Sequence, residues 1–460
     1  MRVLYVVHRF LPKFISGTEQ YVLALARAGL AAGDDVRVYA VDPGFEPPFG
    51  PAELRRYDVD GVPVTCHSFA MGSVQNHVLA DWWNPLNQAS FEALLDEFRP
   101  EIAHLFHLRF VGIDRVDDLE RRRIPFLIHL MDFWYVCPNF LLLRTEPKPR
   151  AALAPPDALA GEPTLVQCDG PPQGGYGCFD CVHTTVAQWA REPWARARHA
   201  ERRRGGEFPL DEASGEQAGY AMIERPRHLA SALARAARLF SPSRTVKAAL
   251  EKAGAPTGAL EVVPYAIDRS ALRALADPPR DAVHVGYLGT FAPHKGLAVL
   301  LDAFRGLDDR AVRLHCFGRF GDYPGYDAKL RELAAGDPRV EFHGPFARAE
   351  LARVVSGLHL LVVPSLWREN TPFVCLEARA AGLELVTSAL DGMTECVPPG
   401  RGRSFPAGDA AALRAELRAA AAGVRARGHR RLDPDETIPD VREQYAAFRE
   451  RYVAARSVVR

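Results

Sequence analysis

Short apolar runs alternate with stretches of helical period along this chain, and they do so in two separate regions. "RVLYVV", "TEQYVLALARAGLAAG" and "DVRVYAV" open the first region, followed by "IAHLF", the helical "IDRVDDLERRR" and "PFLIHL". Strands spaced by helices of this length read as βαβ units around a parallel sheet. The pattern restarts at "DAVHVGYLGTF" (281–291) and continues through "VRLHCFG", "VEFHGPF", "LHLLVVPS" and "LELVTS". At 460 residues the chain exceeds what one hydrophobic core usually supports, so two domains are expected. The fold class is therefore α/β: two doubly wound, Rossmann-like domains, the first over 1–267 and the second over 281–430. The boundary falls at 268–281, where "DRSALRALADPPRD" closes on a Pro pair. An amphipathic helix in 431–460 is expected to pack back toward the first domain.

Between Arg144 and Gly177 the alternation breaks. This segment is rich in Pro, Gly and Ala without a period, and with its flanks it reads as an irregular insertion over about 138–205. Residues 182–240 read as largely helical, and Ser241 or Ser243 caps a further helix that stops at Gly254. With 57 basic against 57 acidic residues, nothing draws the chain toward nucleic acid. The N-terminal apolar run, Val3 to Val7, is too short for a signal peptide or a membrane span, and no window approaches about 18 apolar residues, so a cytoplasmic location is expected. Eight cysteines in a chain this long do not form a secreted disulfide framework; Cys316 and Cys375 sit in apolar runs, where a thiol packs as a small hydrophobe.

The most informative stretch is "VVPSLWRENTPFVCLEARAAG" (362–382), with Glu369 in a loop and Glu377 inside the helix that follows. Thr371 suits an N-cap and Pro372 a first helical residue, since proline lacks the amide that would be wasted there. Ligands of open α/β sheets bind beyond the carboxyl ends of strands, where helix N-termini offer free amides to phosphate. The spacing builds a phosphate seat, with Glu369 over whatever the phosphate carries and Glu377 reaching sideways to a ribose diol. An exposed loop charge and a solvated helix residue are the plainer reading of such a pair.

In these residues the chain resembles glycosyltransferase family 4, retaining enzymes of the two-domain GT-B fold. The resemblance runs through "SGTEQYVLALARAGL", "VVPYAID", "GYLGTFAPHKG", "VEFHGPF", "PSLWRENTPFVCLEARAAG" and "DGMTECVPPGRGRSFPAGD". It implies that Glu369 stands near the donor sugar, that Glu377 holds the nucleotide ribose, and that the backbone from Asn370 through Thr371 and Pro372 to Phe373 lies near sugar and diphosphate. Lys295 after Gly289 would balance charge on the diphosphate. An arginine generally follows that glycine in the family and Thr290 stands here, which leaves Arg319 or Arg368 to supply a second cation. Ser16, Gly17 and Thr18 form a loop where amides can approach a diphosphate or acceptor, or where a serine or threonine simply caps the helix. His104, His107 and His129 fall near strand ends. The family often carries a histidine directly before the aspartate that matches Asp132; Met131 stands there, and His129 on the same strand face either replaces it or packs in the core.

Cys137, Cys168, Cys178 and Cys181 include a Cys-x-x-Cys pair. A four-cysteine structural zinc site, unliganded thiols, a regulatory disulfide and an iron–sulfur cluster all fit them. "WAREPWARARHAERRR" suits either an interfacial patch on an anionic inner membrane surface or a solvated helix face. The expected activity is retaining transfer of a hexose from a nucleoside diphosphate sugar to an acceptor hydroxyl on a glycan, a lipid-linked or a small molecule. No catalytic metal is expected, because no Asp-x-Asp pair offers a seat for a diphosphate-bound cation. A GT-B protein that only binds a sugar or partner is the alternative. A dinucleotide oxidoreductase is disfavoured, since neither first strand is followed by Gly-x-Gly-x-x-Gly.

Overall fold

The computed structural model describes residues 1–44, 52–71, 74, 77–146, 164–170, 178, 181, 215–273 and 275–459. The arginine- and tryptophan-rich segment at 189–204, and with it the membrane-facing expectation, lies outside the described residues.

Eight strands build the first sheet: β1 (Arg2–Val7), β2 (Asp35–Gly44), β3 (Glu53–Val59), β4 (Val62–Ala70), β5 (Ile102–Leu105), β6 (Phe126–His129) and, beyond the insertion, β9 (Arg238–Ser241) and β10 (Leu260–Val262). The insertion contributes the antiparallel pair β7 (Leu143–Glu146) and β8 (Thr164–Gln167). The sheet runs in the order β10-β9-β6-β5-β1-β2-β4-β3, and every pairing is parallel except the β3–β4 hairpin at one edge. Val3 to Val7 are fully buried, as expected for a central parallel strand covered on both faces. The edge strand β3 instead alternates exposed and half-buried residues.

The second sheet holds β11 (Val283–Leu288), β12 (Val312–Phe317), β13 (Val340–Gly344), β14 (Leu360–Val363), β15 (Glu384–Ser388) and β16 (Gly402–Phe405), all parallel, in the order β13-β12-β11-β14-β15-β16. The strand order reverses direction beside β11 and β14, so their carboxyl ends flank the crevice where an open α/β sheet takes its ligand. Helices Leu297–Arg305 and Ala410–Ala426 cover one face of this sheet through Leu300, Leu301, Phe304, Leu413 and Leu417.

Helix Val441–Val459 lies on the first domain. Tyr445 Oη and Arg449 Nε each donate to Asp34 Oδ2 at 2.8 Å, and Arg451 Nη2 donates to Glu261 at 2.9 Å. Although burial opposes it, bonds from Arg449, the chain's amino terminus and Tyr445 hold the Asp34 carboxyl below its ordinary range.

Under that helix His104 and His129 stack 5.6 Å apart, and His129 also stacks on Phe106 and Tyr265. His104 Nδ1 meets Tyr452 Oη at 2.7 Å. His129 is fully buried, and neither of its ring nitrogens has a hydrogen-bond partner among the described residues. Of its two readings, replacing the family histidine or packing in the core, the buried ring fits the second. Burial drives the His129 imidazole down to about 3 and holds His104 well below the ordinary range. The unfolded chain takes up protons at these rings below about pH 6.5, whereas the folded chain leaves His129 neutral until about 3. Stability is therefore fully present above about pH 6.5 and falls with pH through that window. His129→Phe is expected to make the loss of urea stability below about pH 6.5 shallower by about one proton; an unchanged slope contradicts the assignment.

Candidate active site

Strand β14 runs into Pro364 and the loop that carries Glu369. The helix after it spans Phe373–Ala380, and Pro372 is its N-cap, with φ −64° and ψ 126°. Its carbonyl accepts from Cys375 N–H at 3.0 Å, the bond an N-cap makes. The helix thus begins one residue later than the sequence suggests, and Thr371 does not cap it; its own N–H donates to Asn370 Oδ1.

Glu369 is 5% exposed. Its Oε1 accepts from Lys295 Nζ at 2.6 Å, Trp367 Nε1 at 2.8 Å and Ser365 Oγ at 2.9 Å. Three donors converge on one oxygen, so Oε2 is turned away from them. The Lys295 ammonium also lies 4.9 Å from the centre of the Trp367 ring, a cation–π contact. Gly296, with φ 73°, follows Lys295, and a Cβ there would sit 1.9 Å from the Pro364 carbonyl oxygen. Only glycine lets the turn that carries Lys295 press on the end of β14.

Glu377 is 4% exposed and is bound by Arg348, whose guanidinium sits on the turn after β13. Burial raises the Glu377 carboxyl above its ordinary value, with Arg348 opposing. Gly289 and Thr290 extend β11 with main chain: Gly289 N–H donates to Phe317 O at 3.0 Å, and Thr290 O accepts from Tyr287 Oη at 2.9 Å. The two arginines considered for a second cation are engaged elsewhere. Arg319 pairs with Asp322 at 2.9 Å, and Arg368 with Asp169 at 3.0 Å and Asp391 at 3.5 Å. Arg348, which sequence reasoning missed, is the cation beside the second glutamate. It lies two residues after the "VEFHGPF" stretch, and strand order brings it beside Glu377.

On the first domain, the carboxyl ends of β1, β5 and β6 gather His8, His107 and Asp132. Arg109 N–H donates to His107 Nδ1 at 3.2 Å, so the ring proton is on Nε2, which donates to Asp132 Oδ2 at 3.1 Å. Asp132 Oδ1 accepts from Trp134 N–H at 2.7 Å. His8, whose ring centre lies 4.1 Å from that of His107, was overlooked because it reads as the end of a strand. Ser16 is the N-cap of helix Gly17–Ala31, Gly17 its first residue and Thr18 its second. Ser16 N–H donates to Glu19 Oε2 at 2.9 Å. These residues form the start of that helix.

The two sides touch. Asn370 Nδ2 donates to the Met131 carbonyl and lies 3.3 Å from Tyr265 Oη. Phe373 stacks on Tyr265 at 4.7 Å, and a Cβ on Gly17 would lie 2.5 Å from the Phe373 ring. From the insertion, Gln167 Nε2 donates to Leu366 O at 2.6 Å.

All four insertion cysteines are free thiols. Burial, then the proximity of Cys137 and Cys181, pushes the Cys178 thiol up. Among the described residues, the group of three or more potential ligand atoms within 4.8 Å of one another is His315, Glu341 and His343. Cys168 Sγ donates to Gly170 O at 3.3 Å, and Cys137 faces the backbone N–H groups of Leu142 and Asn139.

Residues 282–422 match the family described as "Glycosyl transferases group 1". This part of the chain is a glycosyltransferase group 1 domain. The group 1 domain contains Lys295, Arg348, Glu369 and Glu377 and ends before the helix that returns to the first domain. The chain is 36% identical over 146 residues to a phosphatidyl-myo-inositol mannosyltransferase of Mycobacterium leprae, covering 30% of this chain and 37% of that protein. It is 33% identical over 150 residues to a D-inositol 3-phosphate glycosyltransferase of Nocardioides sp., covering 29% of this chain and 32% of that one. It thus spans about a third of the length of these curated relatives. Sucrose-phosphate synthase from Thermosynechococcus elongatus superposes over 99% of both chains with a TM-score of 0.62 at 17% identity. HepE from Anabaena, in complex with UDP-glucose, covers 100% of this chain and 98% of its own with a TM-score of 0.54 at 13% identity. These likenesses show the fold, two Rossmann-like domains in the GT-B arrangement.

Gly296→Ala is expected to lower unfolding stability by about 1–3 kcal/mol, since the side chain meets a carbonyl and the backbone is left-handed. Urea denaturation checks it; an unchanged midpoint would mean that the turn carrying Lys295 relaxes freely.

Proposed function

We propose that this protein is a retaining glycosyltransferase that moves a hexose from a nucleoside diphosphate sugar to an acceptor hydroxyl. The observation that carries the reading is the buried Glu369 paired with the half-buried Lys295 at the carboxyl edge of β11 and β14, with the buried Glu377 on the helix that follows. Donor binding falls to the group 1 domain. Lys295 and the amides at the start of helix Phe373–Ala380 face the diphosphate, Glu369 Oε2 accepts from a sugar hydroxyl, and Glu377 takes the ribose diol while sharing its charge with Arg348. The solved GT-B neighbours include proteins in complex with UDP-glucose and bound to ADP and acarbose, which supports a nucleotide sugar of this general kind.

The acceptor approaches from the first domain, where the His107–Asp132 pair stands at the strand ends. In the transfer, the bond from the sugar's anomeric carbon to the phosphate oxygen breaks and the bond to the acceptor oxygen forms on the same face. The acceptor's proton passes to the departing diphosphate. Lys295 balances the charge that develops there without a metal. Because Asn370 and Phe373 bridge the domains, donor is admitted to an opened form and closure then excludes water. The insertion cysteines serve a structural role beside this cleft, and the arginine- and tryptophan-rich segment is where contact with an anionic membrane would fall.

Donor turnover with a panel of nucleoside diphosphate sugars tests the reading. Glu369→Gln and Lys295→Ala should lower kcat by about a hundredfold or more, the usual cost of removing a group that stabilises developing charge. Glu377→Ala and Arg348→Ala should mainly raise the donor KM, roughly tenfold, because ribose contacts bind ground and transition states alike. A wild type that binds donor but turns none over would make the chain a sugar-binding protein instead.

A further inference from the structure

The second sheet carries a row of histidines on neighbouring strands: His343 on β13, His315 on β12 and His284 on β11. Their rings follow one another at 5.2 Å, and hydrogen bonds run along the row. His284 Nε2 lies 3.1 Å from Asp281 Oδ1, His284 Nδ1 lies 2.9 Å from His315 Nε2, and His315 Nδ1 lies 2.9 Å from His343 Nε2. A carboxylate only accepts, so the His284 proton is on Nε2 and its Nδ1 carries a lone pair. That lone pair takes the proton of His315 Nε2, which leaves His315 Nδ1 as a lone pair directed at β13.

Glu341 and His343 are two residues apart on β13 and therefore share a face, with His315 in register beside Glu341. The three atoms His315 Nδ1, His343 Nε2 and Glu341 Oε2 form a triangle with edges of 2.9, 3.4 and 3.7 Å. The point equidistant from its corners is about 2.0 Å from each, the bond length of zinc to imidazole nitrogen and carboxylate oxygen. Glu341 is half exposed and β13 is the edge strand of its sheet, so a fourth position opens to water.

We propose that His315, His343 and Glu341 form a binding site for a borderline divalent cation of the zinc, cobalt or nickel class, oriented from behind by His284 and Asp281. Two imidazoles and one carboxylate favour such ions over magnesium or calcium, which prefer oxygen alone. A ligating histidine normally donates its other N–H to an oriented acceptor, and the Asp281–His284 relay provides this for His315. The cation replaces the shared proton between His315 and His343, and His343 keeps its own proton by moving it to Nδ1. Bound there, it fastens the edge strand β13 to β12, beside the point where their register shifts between Cys316 and Phe317. None of these residues belongs to the donor-side cluster.

The test is calorimetric titration of tag-free, chelator-treated full-length protein with zinc chloride, repeated on His343→Ala and Glu341→Gln, with cobalt(II) spectra of each. Wild type should bind one more equivalent per chain than His343→Ala, and Glu341→Gln should bind that equivalent roughly tenfold more weakly. The cobalt signal lost in the variants should lack a thiolate-to-metal band, which distinguishes it from any ion on the cysteines. Glu341→Gln changes a half-exposed side chain and is expected to keep the fold, checked by circular dichroism. Equal stoichiometry and affinity in all three proteins, or a lost signal of thiolate type, would overturn the proposal.

Discussion

A carboxylate buried at the tip of a parallel strand is costly unless it is fully compensated, and Glu369 is compensated by one short ion pair and two neutral donors on the same oxygen. Much of the local structure follows from keeping those partners in reach. Lys295 has to arrive from the turn after β11, which requires Gly296 to lie against the Pro364 carbonyl. Ser365 and Trp367 have to bend back from the loop itself. A buried carboxylate with a specific charge partner at the ligand edge of a sheet is a candidate for chemistry that uses the charges.

The same loop also carries the contact between the domains. Asn370 reaches the Met131 carbonyl, and Phe373 lies on Tyr265 over Gly17. The residues proposed to face the donor and those that bridge the domains are therefore neighbours in the chain. Arg379 joins Asp435 at 2.7 Å, and Ile267 bridges to Asp440, so the chain recrosses between the domains before its last helix returns to Asp34.

Periodicity made the central strands legible, because parallel strands buried on both faces are uninterrupted apolar runs such as Val3–Val7 and Leu360–Val363. It left out the edges. β3 alternates like a hairpin, β16 is the mixed "GRSF", and β9 and β10 are too short to show a period. Glu369 and Glu377 were readable because a loop, a cap-like Thr-Pro and a helix lie in one stretch, and Lys295 because it follows the glycine that ends a strand. Arg348 was not, since it comes after a strand three places away in the sheet order, and His8 was hidden because its neighbour His107 is close in space rather than in sequence. Proline's fixed φ suits both cap and first-turn positions, which is why the helix start moved from Pro372 to Phe373.

The most direct measurement is hydrogen–deuterium exchange of the full-length protein, with and without a saturating nucleoside diphosphate sugar chosen by thermal shift. A diphosphate seated on the group 1 domain should slow exchange at the amides from 289 to 297 and from 371 to 377. Slowed exchange confined to the first domain, or none for any such sugar, would contradict the account.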